Sequence, residues 1–179
     1  MKHVPNLLSA ARVLAAPYVF YLVWTHQWVA TLVWVVVIGI TDSLDGYLAR
    51  RFDAQSRLGA FLDPVADKLL LSGCYLTMGL DGTVPAWLVW FVLGRDAAIL
   101  LFALGMLLFT QQRRDFPPTR AGKLSTFFQG LYILGNVAAA SGLVPTATPL
   151  VLSAAVLVVT GWSAVDYARR GAKILGAQP

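Results

Sequence analysis

Asp42, Asp45, Asp63 and Asp67 lie within TDSLDGYLARRFDAQSRLGAFLDPVADK, directly after the apolar run VATLVWVVVIGI. Carboxylates are costly to place beside so much hydrocarbon, so four of them at regular intervals point to chemistry. Asp42 and Asp45 are three residues apart, and Asp63 and Asp67 are four apart. On helices, each pair shares a face. Four such groups brought together in a low dielectric cannot all stay ionised without cations, so either some are protonated or metal is held between them. The site has no nearby histidine, since His3 and His26 are the only two, and Cys74 is the only cysteine. All-oxygen ligands suit Mg2+ or Mn2+. A two-metal carboxylate site suits displacement at phosphorus.

The residues around the carboxylates fit the same chemistry. Gly46 and Ala49 remove bulk beside the acids, Arg50 offers a planar fork for a phosphate, and Gly59 opens the following segment. Arg95, in VLGRDAAIL, is expected roughly 15 Å into its helix, where a charge marks a functional candidate. Asp96 is adjacent, so a local pair is possible, although neighbours in sequence point to different helix faces. Arg120 and Lys123, in PPTRAGKLSTFFQ, complete a candidate cation set for an acceptor phosphate. Anchoring of their helix at a membrane surface explains those two equally well. Lys68 is read as a residue that snorkels to the surface, outside the site. Asn6 either caps its helix or touches substrate, and Cys74 reads as a small buried hydrophobe.

The elements that must carry these residues are membrane helices. Of 179 residues, 58% are hydrophobic and only 13% charged, with a mean hydropathy of +0.67. A soluble domain of this length needs more polar surface. Spans of about 20 apolar residues are expected near 7–25, 28–50, 58–80, 85–110, 123–142 and 148–168. Turn chemistry separates them at THQ, LDGTVP, RRDFPPTRAG and SGLVPTATP. Thr83 and Pro85 read as the start of the fourth helix, and Trp24, Trp28, Trp87 and Trp162 as an interfacial belt. Arg12 interrupts the first apolar run, which favours a first membrane helix over a signal peptide.

The bases are distributed unevenly. The loops after helices one, three and five lack Lys and Arg, and Lys68 and Arg95 are the only two of the fourteen inside helices. The positive-inside rule then puts both termini in the cytoplasm. It also explains the net charge of +5 without nucleic acid as a partner. The expected fold is all-α, a single polytopic membrane domain over 1–179 with six transmembrane helices. On depth alone, Asp42 lies roughly 21 Å along helix two from its outer end, and Asp67 roughly 14 Å along helix three from its inner end. Both pairs are therefore expected at similar depth on neighbouring antiparallel helices. Paired intramembrane acids could instead line an ion path in a transporter, but that leaves the glycines and Arg50 without a role.

Written out, the pattern is Asp42-x2-Asp45-Gly46-x2-Ala49-Arg50-x8-Gly59-x3-Asp63-x3-Asp67. It resembles, at every position, the signature of the CDP-alcohol phosphatidyltransferase family, and the six-helix pattern extends that likeness over nearly the whole chain. The resemblance implies displacement of CMP from CDP-diacylglycerol by an alcohol, in a multi-pass protein of the inner (cytoplasmic) membrane. It implies that Asp42, Asp45 and Asp63 hold metal. Asp67 would deprotonate the incoming hydroxyl and could touch the second metal. Asp42, Asp45, Gly46, Ala49, Arg50 and Gly59 would bind the CDP-lipid, and a homodimer is expected. PNLLSAARVLAAP, DGYLARRF and LGAFLDPVADK resemble bacterial phosphatidylglycerophosphate synthases, which favours glycerol 3-phosphate as acceptor. GRD and PPTRAGKLSTFFQ are similar to eukaryotic-type cardiolipin synthases, so phosphatidylglycerol stands as the alternative.

Overall fold

The computed structural model describes the backbone of residues 4–51, 57–109 and 119–176, with side chains over 14–41, 68–102, 104–105 and 119–172. All the secondary structure among these residues is helical. The six helices are α1 (Val4–Trp24), α2 (Trp28–Arg51), α3 (Arg57–Leu80), α4 (Ala86–Phe109), α5 (Arg120–Ala140) and α6 (Thr148–Gly176).

The helix ends follow local chemistry. α1 starts three residues earlier than expected, because Pro5 suits a first turn. α1 closes with Gln27 N–H donating to Leu22 O and His26 N–H to Val23 O. His26 takes the left-handed position of that cap, at φ 54°. Gly142, at φ 77°, does the same after α5, where a side chain would be strained. Pro85, rather than Thr83, immediately precedes α4, and its carbonyl accepts from Leu88 and Val89. Thr83 N–H donates instead to Asp81 Oδ1 at 2.8 Å. α5 starts at Arg120 rather than 123, because Thr119 caps it and accepts from Gly122 N–H at 2.9 Å. α6 runs eight residues past the expected 168, carrying an i,i+4 pair of Asp166 with Arg170 at 3.5 Å.

The packing closes two fused rings. α1 lies on α2 and α3, and α5 lies on α2 and α3, making one ring of α1–α2–α5–α3. α4 lies on α3 and α6, and α6 on α5, making a second ring of α3–α4–α6–α5. The rings share the α3–α5 wall. All six helices feed one apolar core, with Val19 and Val23, Ile38, Tyr75 and Met78, Leu88 and Val92, Tyr132 and Val137, and Val156. Small residues let the backbones approach: a Cβ on Gly73 would enter the Phe20 ring, and one on Gly79 would lie 2.6 Å from Val89 Cγ2.

The polarity of the molecule is inverted relative to a soluble bundle. Thr31, Asp96, Ser125, Gln129, Asn136, Thr160 and Ser163 are buried, while Trp90, Leu100, Leu150 and Val158 are exposed. An outer surface of this kind suits hydrocarbon rather than water. Thr148–Ala172 alone, with a mean hydropathy of 1.8, is long and apolar enough to cross a membrane among the described residues. Trp24, Trp87 and Trp162 are exposed and Cys74 is buried, as their types suggest.

Candidate active site

The chain folds the motif onto two helices. Asp42, Asp45, Gly46, Ala49 and Arg50 lie in the C-terminal half of α2, and Gly59, Asp63 and Asp67 in the first half of α3. Helical backbone through both segments keeps Asp42 and Asp45 on one face and makes Gly59, Asp63 and Asp67 a stripe of i,i+4 steps. Only residues 52–56 join these helices, so the two segments belong to the same end of the molecule. The side chains of all eight motif residues, and of Asn6, lie outside the described residues. So does His3; His26 sits at the opposite end of α2 from Asp42, at the α1–α2 turn.

Among the described residues, α2 and α3 each lie on α1 and on α5. The expected meeting of the two carboxylate pairs falls on side chains outside the described residues.

A charged cluster is fully described in the second ring. Asp96 is buried, with its side chain 8% exposed. Its Oδ2 lies 2.6 Å from Lys68 Nζ, and its Oδ1 2.7 Å from Arg95 Nη1. The adjacent Arg95 and Asp96 thus do pair, because the long arginine side chain folds back along the helix. Lys68 is correspondingly not a free surface residue but a partner of a buried acid. Arg95 Nη2 donates to Ser163 Oγ on α6. The guanidinium lies over the Tyr167 ring, 5.4 Å from its centroid. Tyr167 Oη accepts from Thr119 N–H at 3.2 Å, one residue before Arg120. Arg95 is thereby tied to the start of α5, where Arg120 and Lys123 are exposed. Arg95 Nε is buried and has no hydrogen-bond partner among the described residues.

Beside this cluster, α4 and α6 line a half-open pocket of about 390 Å³, with Arg95, Ile99, Phe102, Tyr167, Gly171 and neighbouring alanines in its walls. Behind it, Ser125 Oγ and Thr160 Oγ1 are 2.9 Å apart and Gln129 Nε2 donates to Ser125 at 3.2 Å, stitching α5 to α6. Asp96, Lys68, Ser163 and Tyr167 were not singled out by spacing. Asp96 and Lys68 carried a signal, as charged residues within apolar helices.

The donor set on α2 and α3 fits a hard divalent cation, being four carboxylates with no nitrogen or sulfur. Comparison with known proteins agrees with the chemistry. Residues 2–164 match the family model described as CDP-alcohol phosphatidyltransferase. The chain is 31% identical to a "Probable phosphatidylglycerophosphate synthase" of Mycobacterium tuberculosis, over 97% of this chain and 84% of that protein. It is also 31% identical to the "CDP-diacylglycerol--glycerol-3-phosphate 3-phosphatidyltransferase" of Aquifex aeolicus, over 97% and 98% of the two. A "Putative cardiolipin synthase" of Mycobacterium bovis is 40% identical over 69% of this chain and 59% of its own length.

Proposed function

This chain belongs to the CDP-alcohol phosphatidyltransferase family, and on that premise we propose that it transfers a phosphatidyl group from CDP-diacylglycerol to glycerol 3-phosphate, releasing CMP. The observation that carries this reading is the set of motif carboxylates on two helices joined by residues 52–56 alone, in a chain that also buries an arginine held by Asp96 and Ser163. The relatives that align over almost the whole chain support the choice of acceptor.

In this reading Asp42, Asp45, Asp63 and Asp67 hold Mg2+ or Mn2+, which when bound neutralises the diphosphate and stabilises charge on the leaving group. Asp42, Asp45, Gly46, Ala49, Arg50 and Gly59 bind the CDP-lipid, with Arg50 on a phosphate oxygen. Arg95, Arg120 and Lys123 hold the acceptor phosphate. Asp67 takes the proton from the acceptor hydroxyl. The hydroxyl oxygen bonds to the phosphorus that carries diacylglycerol, and the phosphorus–oxygen bond to CMP breaks in line. The family's intramembrane setting, the outward apolar surface and the asymmetry of Lys and Arg support six spans with both termini in the cytoplasm, in one domain over 1–179 of a multi-pass inner-membrane protein. We assign the active form as a homodimer, testable as the mass in nanodiscs.

The second reading takes phosphatidylglycerol as acceptor. The apolar cavity beside Arg95 favours it, since that cavity suits an acyl chain better than a soluble phosphate. Purified protein given CDP-diacylglycerol with each acceptor separately, and followed by CMP release, decides. Release with glycerol 3-phosphate is expected; release with phosphatidylglycerol alone establishes the second reading. Ion flux in vesicles without CMP release from any CDP-lipid would mean a transporter.

A further inference from the structure

We propose that Asp96 is a positioning residue for the acceptor site and that Lys68 belongs to that site as a further cation. The inference rests on the acceptor reading above and adds two residues to it. Asp96 divides its oxygens between two bases on different helices, Lys68 on α3 at 2.6 Å and Arg95 on α4 at 2.7 Å. Arg95 is fixed at three further points: by its Ser163 bond to α6, by the Tyr167 ring, and through Tyr167 Oη by the backbone at the start of α5. Asp96 and Arg95 together thus link α3, α4 and α6, and Tyr167 extends the link to the start of α5.

Charge and hydrogen bonding say what this arrangement is suited to bind. Two cations share one anion, so the trio carries a net positive charge in a region where charge is costly. Structural ion pairing alone needs one base per acid. The second cation, and the buried Arg95 Nε–H that has no hydrogen-bond partner among the described residues, suit an anion with acceptor oxygens. A phosphate meets both needs. Lys68 directly follows Asp67 in α3, which puts this charge one residue from the base assigned to the acceptor hydroxyl. Lys68 is also 41% exposed in its side chain, so it is open to a ligand while tethered. Holding the guanidinium still before the acceptor arrives removes an ordering cost from binding.

A purely structural staple and a positioning residue give different kinetics. Loss of a staple lowers the amount of folded enzyme and treats every substrate alike. Loss of positioning raises the acceptor KM selectively. In steady-state CMP release by the purified full-length protein, Asp96→Asn is expected to raise the KM for glycerol 3-phosphate about 10- to 100-fold, with the KM for CDP-diacylglycerol changing less than about twofold. Lys68→Met should move the same constant in the same direction, and Asp96→Glu should recover most of the loss. An unchanged acceptor KM in Asp96→Asn, or equal shifts in both KM values, overturns the proposal. If Asp96→Asn does not yield monodisperse protein, Ser163→Ala replaces it, with a smaller acceptor-selective rise expected and no rise overturning the idea. Wild-type protein active only with phosphatidylglycerol would refute the choice of glycerol 3-phosphate; the variants are then compared on phosphatidylglycerol, where an unchanged KM refutes the role of Asp96.

Discussion

The two rings divide the charge of the molecule. The first, α1–α2–α5–α3, carries Asp42, Asp45, Asp63 and Asp67 on two of its walls, set by intervals along single helices. The second, α3–α4–α6–α5, carries Arg95, Lys68 and Asp96 and assembles them from residues far apart in the chain, Arg95 and Ser163 being 68 positions apart. The first arrangement tolerates change in the partners of each helix, because its spacing is a property of helical repeat. The second exists only while α3, α4 and α6 hold their mutual positions. A reaction joining a metal-bound diphosphate to a phosphate-bearing alcohol needs both kinds of charge, and α3 carries members of both, Asp63 and Asp67 with Lys68.

The division is open to test by breaking one ring at a time. The largest effect is expected from Asp63→Ala, which should lower CMP release by more than about 100-fold, beyond the usual cost of losing a residue that only supports a metal ligand. Residual turnover should lose its response to added Mg2+; normal turnover with a normal Mg2+ titration would remove the first ring from the chemistry. Next comes Arg95→Ala, expected to raise the acceptor KM about 10- to 100-fold while leaving the metal titration unchanged. A shift in the metal response instead would mean that the two rings do not divide the work.

Smaller effects concern the packing that keeps the rings separate. Gly73→Ala puts a methyl group into the Phe20 ring at the α1–α3 contact. It should destabilise the protein by about 1–3 kcal/mol in thermal unfolding in detergent, with partial recovery on adding Phe20→Leu. Thr119→Ala removes the cap that accepts from Gly122 N–H. A loss of about 1 kcal/mol is expected, read as a lower denaturation midpoint, with a smaller change in acceptor KM than Arg95→Ala gives.

Much of the first ring was legible in the sequence because its information is local. The intervals between the aspartates translate into helix faces without knowledge of any other helix, and apolar runs broken by turn residues located all six elements. The ends moved where one side chain decided them: Thr119 drew α5 three residues earlier, and Asp166 with Arg170 helped α6 continue. The contacts of α5 with both α2 and α3 were not legible, since order along the chain does not say which later helix packs on two earlier ones. The pairing of Lys68 with Asp96 was not legible for a related reason. An isolated lysine in an apolar helix has water as its evident destination until a buried acid on another helix is known, and Asp96 lies 28 positions away in the chain.

The wall common to both rings has a consequence for how the protein is made. α5 begins at residue 120 of 179, so a ribosome releases α1 to α4 well before the helix that closes the first ring. Through that interval, among the described residues, α2 has α1 to pack on and still awaits α5. Closure of the first ring is thus postponed to the last third of synthesis, and the second ring waits longer still, for α6 from residue 148.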